Sequence, residues 1–592
     1  MAFVQIKSTG GRKYVYVKES VWDSKKQAPK SVLLENHGRL DECLKKDPEY
    51  IEKLKDRIAS QTKADKSNRI SLPEESIQEF DLEKDFKYDL NVGAALIKKI
   101  WQRFKLDILL NSIQRSSDEG ARYPYNKVAF LLCSQRILNP SSKIKTFENR
   151  NSQIIDLSEV NDSNMLYRAL GLLARYKDRI VYQMNKAIDQ ELERNMTVAL
   201  YDVTTYWFES RDEDLLRTFG MSKDGKPGEV QIVLGLLIDD NGIPVDYDLF
   251  PGNTSEFKTM IPIIKSFISK YKIDKLTIVA DRGLNSNENL KELNQLGLKF
   301  VIAQKVKNCN GDIKSKILSE ENWDRIHTND DGEVLLKYKT LHIKRPIFKT
   351  KISKKTGKAY SSSEQIDELD VRWVVTYSSK RSKKDNSEID RAEQKALDAI
   401  NKGTVNIRGH GFKGFIKFGR TNEKPVLDEA KLAAARQWAG YYAICTNVED
   451  LTDQKVVEIY HQLWRIEDCF RVTKSNLETR PCFVWTKESI EGHFLTCYVA
   501  LVMQKYLQTK LRNTLPPEET TTEKVLAALR EAVLAPLPEN NKNGQQYFYR
   551  RYAPSSLFDK MCPVFGIEPL SLFETATAVR SKLQIREINL GS

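Results

Sequence analysis

Three carboxylates stand in this sequence where a negative charge needs an explanation. Asp202 lies inside the apolar run VALYDVTTY, which reads as a strand, where an unpaired charge is costly. Asp281 closes a second buried strand, in TIVADRG, and Glu467 lies in YHQLWRIEDCFRVTK. On a helix, Ile459, Leu463, Ile466, Phe470 and Leu477 form one apolar stripe. Tyr460, Trp464, Arg471, Lys474 and Glu478 fall on the adjoining stripe, which leaves Glu467 on the border between a core and a row of cations. Each residue has an ordinary reading as well: aspartates at strand ends cap turns, and Glu467 can pair with Arg471 one helical turn away. Taken together, three carboxylates without histidine or cysteine are hard oxygen ligands suited to Mg²⁺, or Mn²⁺ in its place. Two such ions about 3.5 to 4 Å apart activate an attacking oxygen and stabilise the leaving one in phosphodiester displacement.

The surrounding elements must bring these groups together. At residue 197 the hydrophobic period changes from that of a helix to that of a strand. TVALYDVTTYWF, EVQIVLGLLID and GIPVDYDLF predict three strands, the last two joined by the turn Asp240-Asn241-Gly242. A helix over 256–270, the strand LTIVA, a helix over 286–297 and the strand KFVIAQ follow. This is the element order of a ribonuclease H-like α/β core. In such a sheet the first and fourth strands are neighbours and a later helix packs across them, so Asp202, Asp281 and Glu467 could converge.

The predicted organisation is a small α/β unit over 1–62, a polar linker over 63–92 and a helical domain over 93–195, the first and last expected to bind DNA. The first part of the core spans 196–304, a β-rich insertion 305–440, the second part with the glutamate helix 441–512, and a helical or irregular region 513–592. Within the insertion, KRPIFKTKISKKTGK reads as a solvated loop or a phosphate-touching one. The 592 residues carry a net charge of +13, which favours a polyanionic partner. Eight scattered cysteines read as reduced thiols, and six histidines without ligand spacing give no zinc motif. MAFVQIKSTGGRKY lacks an apolar leader and FLTCYVALVM is too short to span a bilayer. The expected protein is cytoplasmic and nucleoid-associated.

The two aspartates and YHQLWRIEDCFRVTK resemble the DDE transposases of the insertion-sequence-four superfamily. Their signature is Tyr, two residues, Arg, three residues, Glu, six residues, Lys. Tyr460, Glu467 and Lys474 match it, whereas Leu463 stands at the arginine position; the Leu-Trp-x-Ile-Glu pattern and FRVTKSNLETRP resemble one branch of the superfamily. The likeness covers roughly 190–510. It implies catalysis by Asp202, Asp281 and Glu467 holding Mg²⁺, excision and strand transfer at the terminal inverted repeats of a mobile element, DNA as partner, and a homodimer in the synaptic complex. It also implies DNA contacts from Tyr460, Lys474, Arg282 and one or both of Arg465 and Arg471. The helical wheel favours Arg471 and Lys474, about 40° or less from Glu467, over Arg465, about 160° away. A β-rich insertion is expected to steady a flipped base, with Trp373 or Trp438 as the aromatic, although a core tryptophan is the plainer reading of each.

GMSKDGKP nearly fits a phosphate loop, but Pro227 stands at the hydroxyl position and a strand follows, so it reads as a lysine-bearing loop beside the site. Glu209 and Glu478 read as solvated acids. Two other functions remain open: a ribonuclease H-like structure-specific nuclease, and a domesticated DNA-binding protein without catalysis.

Overall fold

A computed structural model describes residues 2–23, 28–67, 89–116, 124–194, 196–226, 228–307, 309–352, 359–403, 411–418, 425–537 and 547–590. The chain divides into two compact units, one of residues 1–96, 151–156 and 528–592, the other of 97–150 and 157–527.

In the first unit, strands Ala2–Thr9, Arg12–Asp23 and Ala28–Arg39 form an antiparallel sheet, followed by helices Leu40–Lys46 and Tyr50–Ser67. Val15 and Val17 bury against Leu54 and Ile58. The third strand escaped sequence reasoning because Val32, Leu33 and Leu34 are consecutive and all exposed, with no period-two signal. Of the expected linker, the helix occupies the residues to Ser67, Leu90–Asn91 is a strand, and 68–88 lie outside the described residues. That short strand pairs with Val533–Pro536 in a small sheet completed by Tyr547–Arg550 and Phe573–Thr575.

The second unit is built on a nine-stranded mixed sheet. In chain order its strands are β1 (Val198–Trp207), β2 (Gln231–Asp239), β3 (Pro244–Pro251), β4 (Thr277–Ala280), β5 (Lys299–Gln304), β6 (Arg325–Thr328), β7 (Val334–Ile352), β8 (Ala359–Ser378) and β9 (Tyr441–Thr446). Their spatial order is β6-β7-β8-β9-β5-β4-β1-β2-β3. The β1–β4 and β4–β5 pairs are parallel and the others antiparallel. β2 is buried along its whole length, which is why it reads as an unbroken apolar run. Segment 305–440 therefore extends this sheet with the β7–β8 hairpin before turning helical. Lys344–Ile352 of the lysine-rich run belongs to β7, and 353–358 lie outside the described residues.

Helices cover both faces. On one, Ala199, Tyr201 and Val203 of β1 pack with α1 (Met260–Tyr271) and α2 (Asn287–Gln295). The other carries α3 (Ser379–Asn401) from the insertion, α4 (Asp453–His461) and α5 (Trp464–Arg471), and a long buried helix, α6 (Lys487–Arg512), follows. Gly492 on α6 lets the backbone at Leu170 approach so closely that a Cβ would lie 2.1 Å from its carbonyl oxygen. Among the described residues no helix is long and apolar enough to cross a membrane.

Next to that contact, α6 buries a lysine. Lys143 Nζ lies 3.0 Å from His493 Nδ1, with Arg136, Cys482 and Cys497 as further ionisable neighbours. Burial, helped by Arg136, pushes the ammonium down to about 7. His493 is also held well below its ordinary value, by burial and the two neighbouring cations. The unfolded chain thus holds a proton on Lys143 up to about pH 10.5 that the folded chain releases near 7, so this site's contribution to stability falls as pH drops across that window. Lys143→Met should remove a penalty of order a few kcal/mol at pH 7, set against roughly 1 kcal/mol for the lost hydrogen bond. Its gain in Tm at pH 7 should exceed that at pH 10, and equal shifts would show that the lysine is not depressed.

Candidate active site

The parallel register sets the site. Leu200 pairs with Val279 and Tyr201 with Ala280, so the next residues along, Asp202 and Asp281, stand side by side on neighbouring strands. Alternation sends both to the face opposite the α1–α2 core, the face on which α4 and α5 lie. Asp202 accepts from the Val203 N–H at 2.7 Å. Burial pushes its carboxyl up to about 6, the Lys223 ammonium opposes that shift, and the charges of Asp281 and Glu256 add to it. A half-buried carboxylate beside two others is in need of a cation.

Asp281 is exposed, and Tyr460 at the end of α4 donates to its Oδ1 at 3.1 Å. The Tyr460 hydroxyl accepts from Tyr442 of β9 at 2.5 Å, and the Arg381 guanidinium lies 4.6 Å over the Tyr442 ring. A cavity of about 840 Å³ opens here, lined in part by Tyr338, Lys380, Arg381, Lys384, Tyr442 and Tyr460. A second, of about 440 Å³, lies against Arg282, Lys305, Lys307, Arg381 and Trp438. The N-terminus of α4 is fixed by the insertion strands: Asp453 accepts from Thr340 of β7 and Arg372 of β8.

The signature segment is not one continuous helix. α4 ends at His461, α5 begins at Trp464, and Val472–Asn476 forms a π-helical turn. In that turn the Thr473 hydroxyl bonds the Phe470 carbonyl at 3.0 Å and lies 2.6 Å from the Tyr206 hydroxyl, an alternative to regular helical pairing. α5 lies against β1 with Ile466, Cys469 and Phe470 buried and Glu467 exposed. The Glu467 N–H bonds the Leu463 carbonyl at 3.3 Å, and its side chain makes no hydrogen bond or ion pair among the described residues. The pairing with Arg471 is absent: Arg471 binds Asp468 and Glu523, each at 2.6 Å. Asp468 also binds Lys505. Asp202 and Asp281 are thus brought together, whereas no three His, Cys, Asp or Glu side chains among the described residues are grouped so as to hold a metal ion.

The other candidates separate. Lys474 reaches the site face, donating to Thr204 at 2.7 Å and pairing with Asp224 at 3.1 Å. Arg282 is exposed directly after Asp281. Arg465 turns to the far end of the sheet and packs over the β2–β3 turn at Gly242, near the charges of Asp239 and Asp240. Trp373 is buried in the core, and Trp438, also buried, borders the smaller cavity. Glu209 is exposed, and the Glu478 carbonyl accepts from Arg136.

Residues 200–503 match the family model described as the transposase DDE domain. The chain belongs to this DDE transposase family. A search of the curated proteins finds no match. Among solved structures, a piggyBac transposase synaptic complex with hairpin DNA is loosely similar, at TM-score 0.32 and 9% identity over 75% of this chain and 80% of that one.

Several residues around this candidate site were missed from sequence. Glu256, just after β3, pairs with Lys223 at 2.8 Å, and a Cβ at Gly283 would lie 2.6 Å from its Oε2. Lys223 also donates to the Val203 carbonyl at 2.8 Å, which puts this part of GMSKDGKP next to Asp202, with Pro227 outside the described residues. Asp224, Arg480 and Tyr442 carried no spacing signal, because their partners come from distant segments. At the β2–β3 turn, Arg465→Ala should cost about 1 kcal/mol through lost packing of its stem. Gly242→Ala should cost roughly 1 to 3 kcal/mol, since Gly242 has φ +83° and a Cβ would lie 3.4 Å from that of Arg465. Because the two share one contact, chemical denaturation of the double variant should show less than the sum, and strict additivity would mean they do not touch.

Proposed function

We propose that this transposase binds the terminal inverted repeats of an insertion sequence and excises and inserts it by metal-dependent strand cleavage and strand transfer. The observation that carries the reading is the placement of Asp202, midway along β1, beside Asp281, just past the end of the parallel β4, beneath the helix that presents Glu467. The strand order β3-β2-β1-β4-β5, a meander joined to two parallel strands, supports a ribonuclease H-like core. The donor set is all oxygen and fits Mg²⁺, with Mn²⁺ as a substitute. Asp202 and Asp281 already face a common space. Glu467 is the third ligand in this reading, an exposed carboxylate with no competing partner. When bound, the metal ions activate the attacking water or 3′-hydroxyl and stabilise the leaving oxygen. Tyr460 fixes the Asp281 carboxylate by its hydrogen bond, and Tyr442 fixes Tyr460 in turn.

The DNA backbone is held by Lys474, Arg282 and Arg471, with Tyr460 at the same face. Arg471 exchanges an exposed ion pair for a phosphate, whereas Arg465 takes no part. Two copies of the chain assemble on the paired ends.

Replacing Asp202, Asp281 or Glu467 singly by Ala should abolish strand cleavage, a loss of several orders of magnitude, while binding to element ends stays within a few-fold. More than a few per cent of wild-type cleavage by Asp281→Ala would remove that residue from the triad. Cleavage without strand transfer by the wild-type protein would favour a structure-specific nuclease instead. Lys474→Ala should weaken end binding and lower the slope of log K against log salt by about one, while Arg465→Ala should leave both unchanged.

A further inference from the structure

Asp224 is where the loop between β1 and β2 meets the signature segment. Its Oδ1 lies 3.1 Å from Lys474 Nζ, and its Oδ2 lies 3.3 Å from the same nitrogen and 2.6 Å from Arg480 Nη1. Lys474 donates at the same time to the Thr204 hydroxyl. An ammonium and a guanidinium converging on one pair of anionic oxygens, with a hydroxyl alongside, is a donor set that also suits a phosphodiester. The cations are well covered, with side chains 13% exposed for Lys474 and 26% for Arg480, so removal of the carboxylate would leave two positive charges poorly solvated and seeking an anion.

Position and mounting point the same way. Thr204 follows Asp202 by two residues on the same face of β1, roughly 7 Å along the strand. Asp224 sits on a tight turn: the Ser222 hydroxyl accepts from the N–H groups of both Asp224 and Lys226, and Gly225 has φ +70°. Met221 in the same loop is 91% exposed, so moving this part of the loop uncovers no core and breaks only hydrogen bonds such as that from the Lys223 N–H to Thr205 and that from Gln231 to the Met221 carbonyl.

We propose that Lys474, Arg480 and the Thr204 hydroxyl form a backbone-phosphate site that Asp224 fills in the free protein, and that DNA displaces the Asp224 carboxylate as it binds. The inference rests on the reading of the neighbouring carboxylates as a DNA-processing site, and it assigns Arg480 and Asp224 roles there. Asp224 acts as an internal competitor: DNA gains the two cations only by releasing the loop, so random duplex is held less tightly than the charge of the site alone would allow.

The test is equilibrium binding of duplex DNA by the full chain in Ca²⁺, so that no cleavage intervenes. Asp224→Asn should tighten binding about tenfold at low salt and steepen the salt slope by about one. The gain should vanish in the Lys474→Ala/Arg480→Ala background. Glu209→Gln, which removes an exposed charge elsewhere, should give no comparable gain. Unchanged or weaker binding by folded Asp224→Asn would overturn the proposal, as would a gain that persists without the two cations. Amide exchange in the wild-type protein gives a reading that needs no variant. The amides of Asp224 and Lys226 should exchange faster when DNA is bound, and unchanged or slower exchange would overturn the displacement. Absence of DNA binding by the wild-type chain would instead sink the transposase reading itself.

Discussion

The parallel pairing of β1 with β4 is the constraint from which the site follows. It fixes Asp202 and Asp281 in adjacent register positions, and the side-chain alternation of a strand then directs both to one face. That arrangement is electrostatically unfavourable on its own. The Asp202 carboxyl is pushed up to about 6 by burial and by its acidic neighbours, against the opposing pull of Lys223 and the Val203 N–H. The fold holds this tension because β2 and β3 on one side and β5 and β9 on the other bury the strands' apolar residues continuously. Burial of those side chains contributes far more than two carboxylates in partial contact with water cost.

The long segment between Asp281 and Glu467 adds strands to the central sheet, apart from a small two-stranded sheet of Ile416–Lys417 with Val426–Leu427. Its hairpin pairs through β8 with β9, and β9 pairs with β5, so the insertion and the strands that carry Asp202 and Asp281 share one hydrogen-bonded sheet. Thr340 and Arg372 in that hairpin grip Asp453 at the start of α4, and Tyr460 at the end of α4 reaches Asp281. The insertion is in this way part of the support of the Asp281 carboxylate as well as part of the wall of two cavities beside it.

Cations around the site are mostly committed to acids of the same chain: Lys223 to Glu256, Lys474 and Arg480 to Asp224, Arg471 to Asp468 and Glu523. The net charge of +13 is therefore no measure of the local potential at the site face, where acids lie beside these cations. Exposed pairs of this kind are weak and exchange readily for phosphate, whereas the half-buried Asp224 cluster resists until its carboxylate is replaced by another anion.

The amino-acid sequence by itself determined the strands and helices of the central core and singled out Asp202 and Asp281, which the sheet brings side by side. Period-two apolar runs and the Asp-Asn-Gly turn are local signals, and a charge inside an apolar strand is conspicuous without any neighbour. It could not determine the third strand near the N-terminus, whose apolar residues do not alternate, nor the course of the signature segment. A helical wheel assumes one axis, and that axis is broken at 462–463 and loosened by the π-helical turn, where Thr473 bonds backward and to Tyr206. Only tertiary structure decided that Arg465 faces the β2–β3 turn, that Arg471 pairs with Asp468 in place of Glu467, and that Glu256, Asp224 and Tyr442 belong to the site. Each of those contacts joins residues from separate elements, and their proximity depends on how the sheet is ordered and covered, which no local spacing encodes.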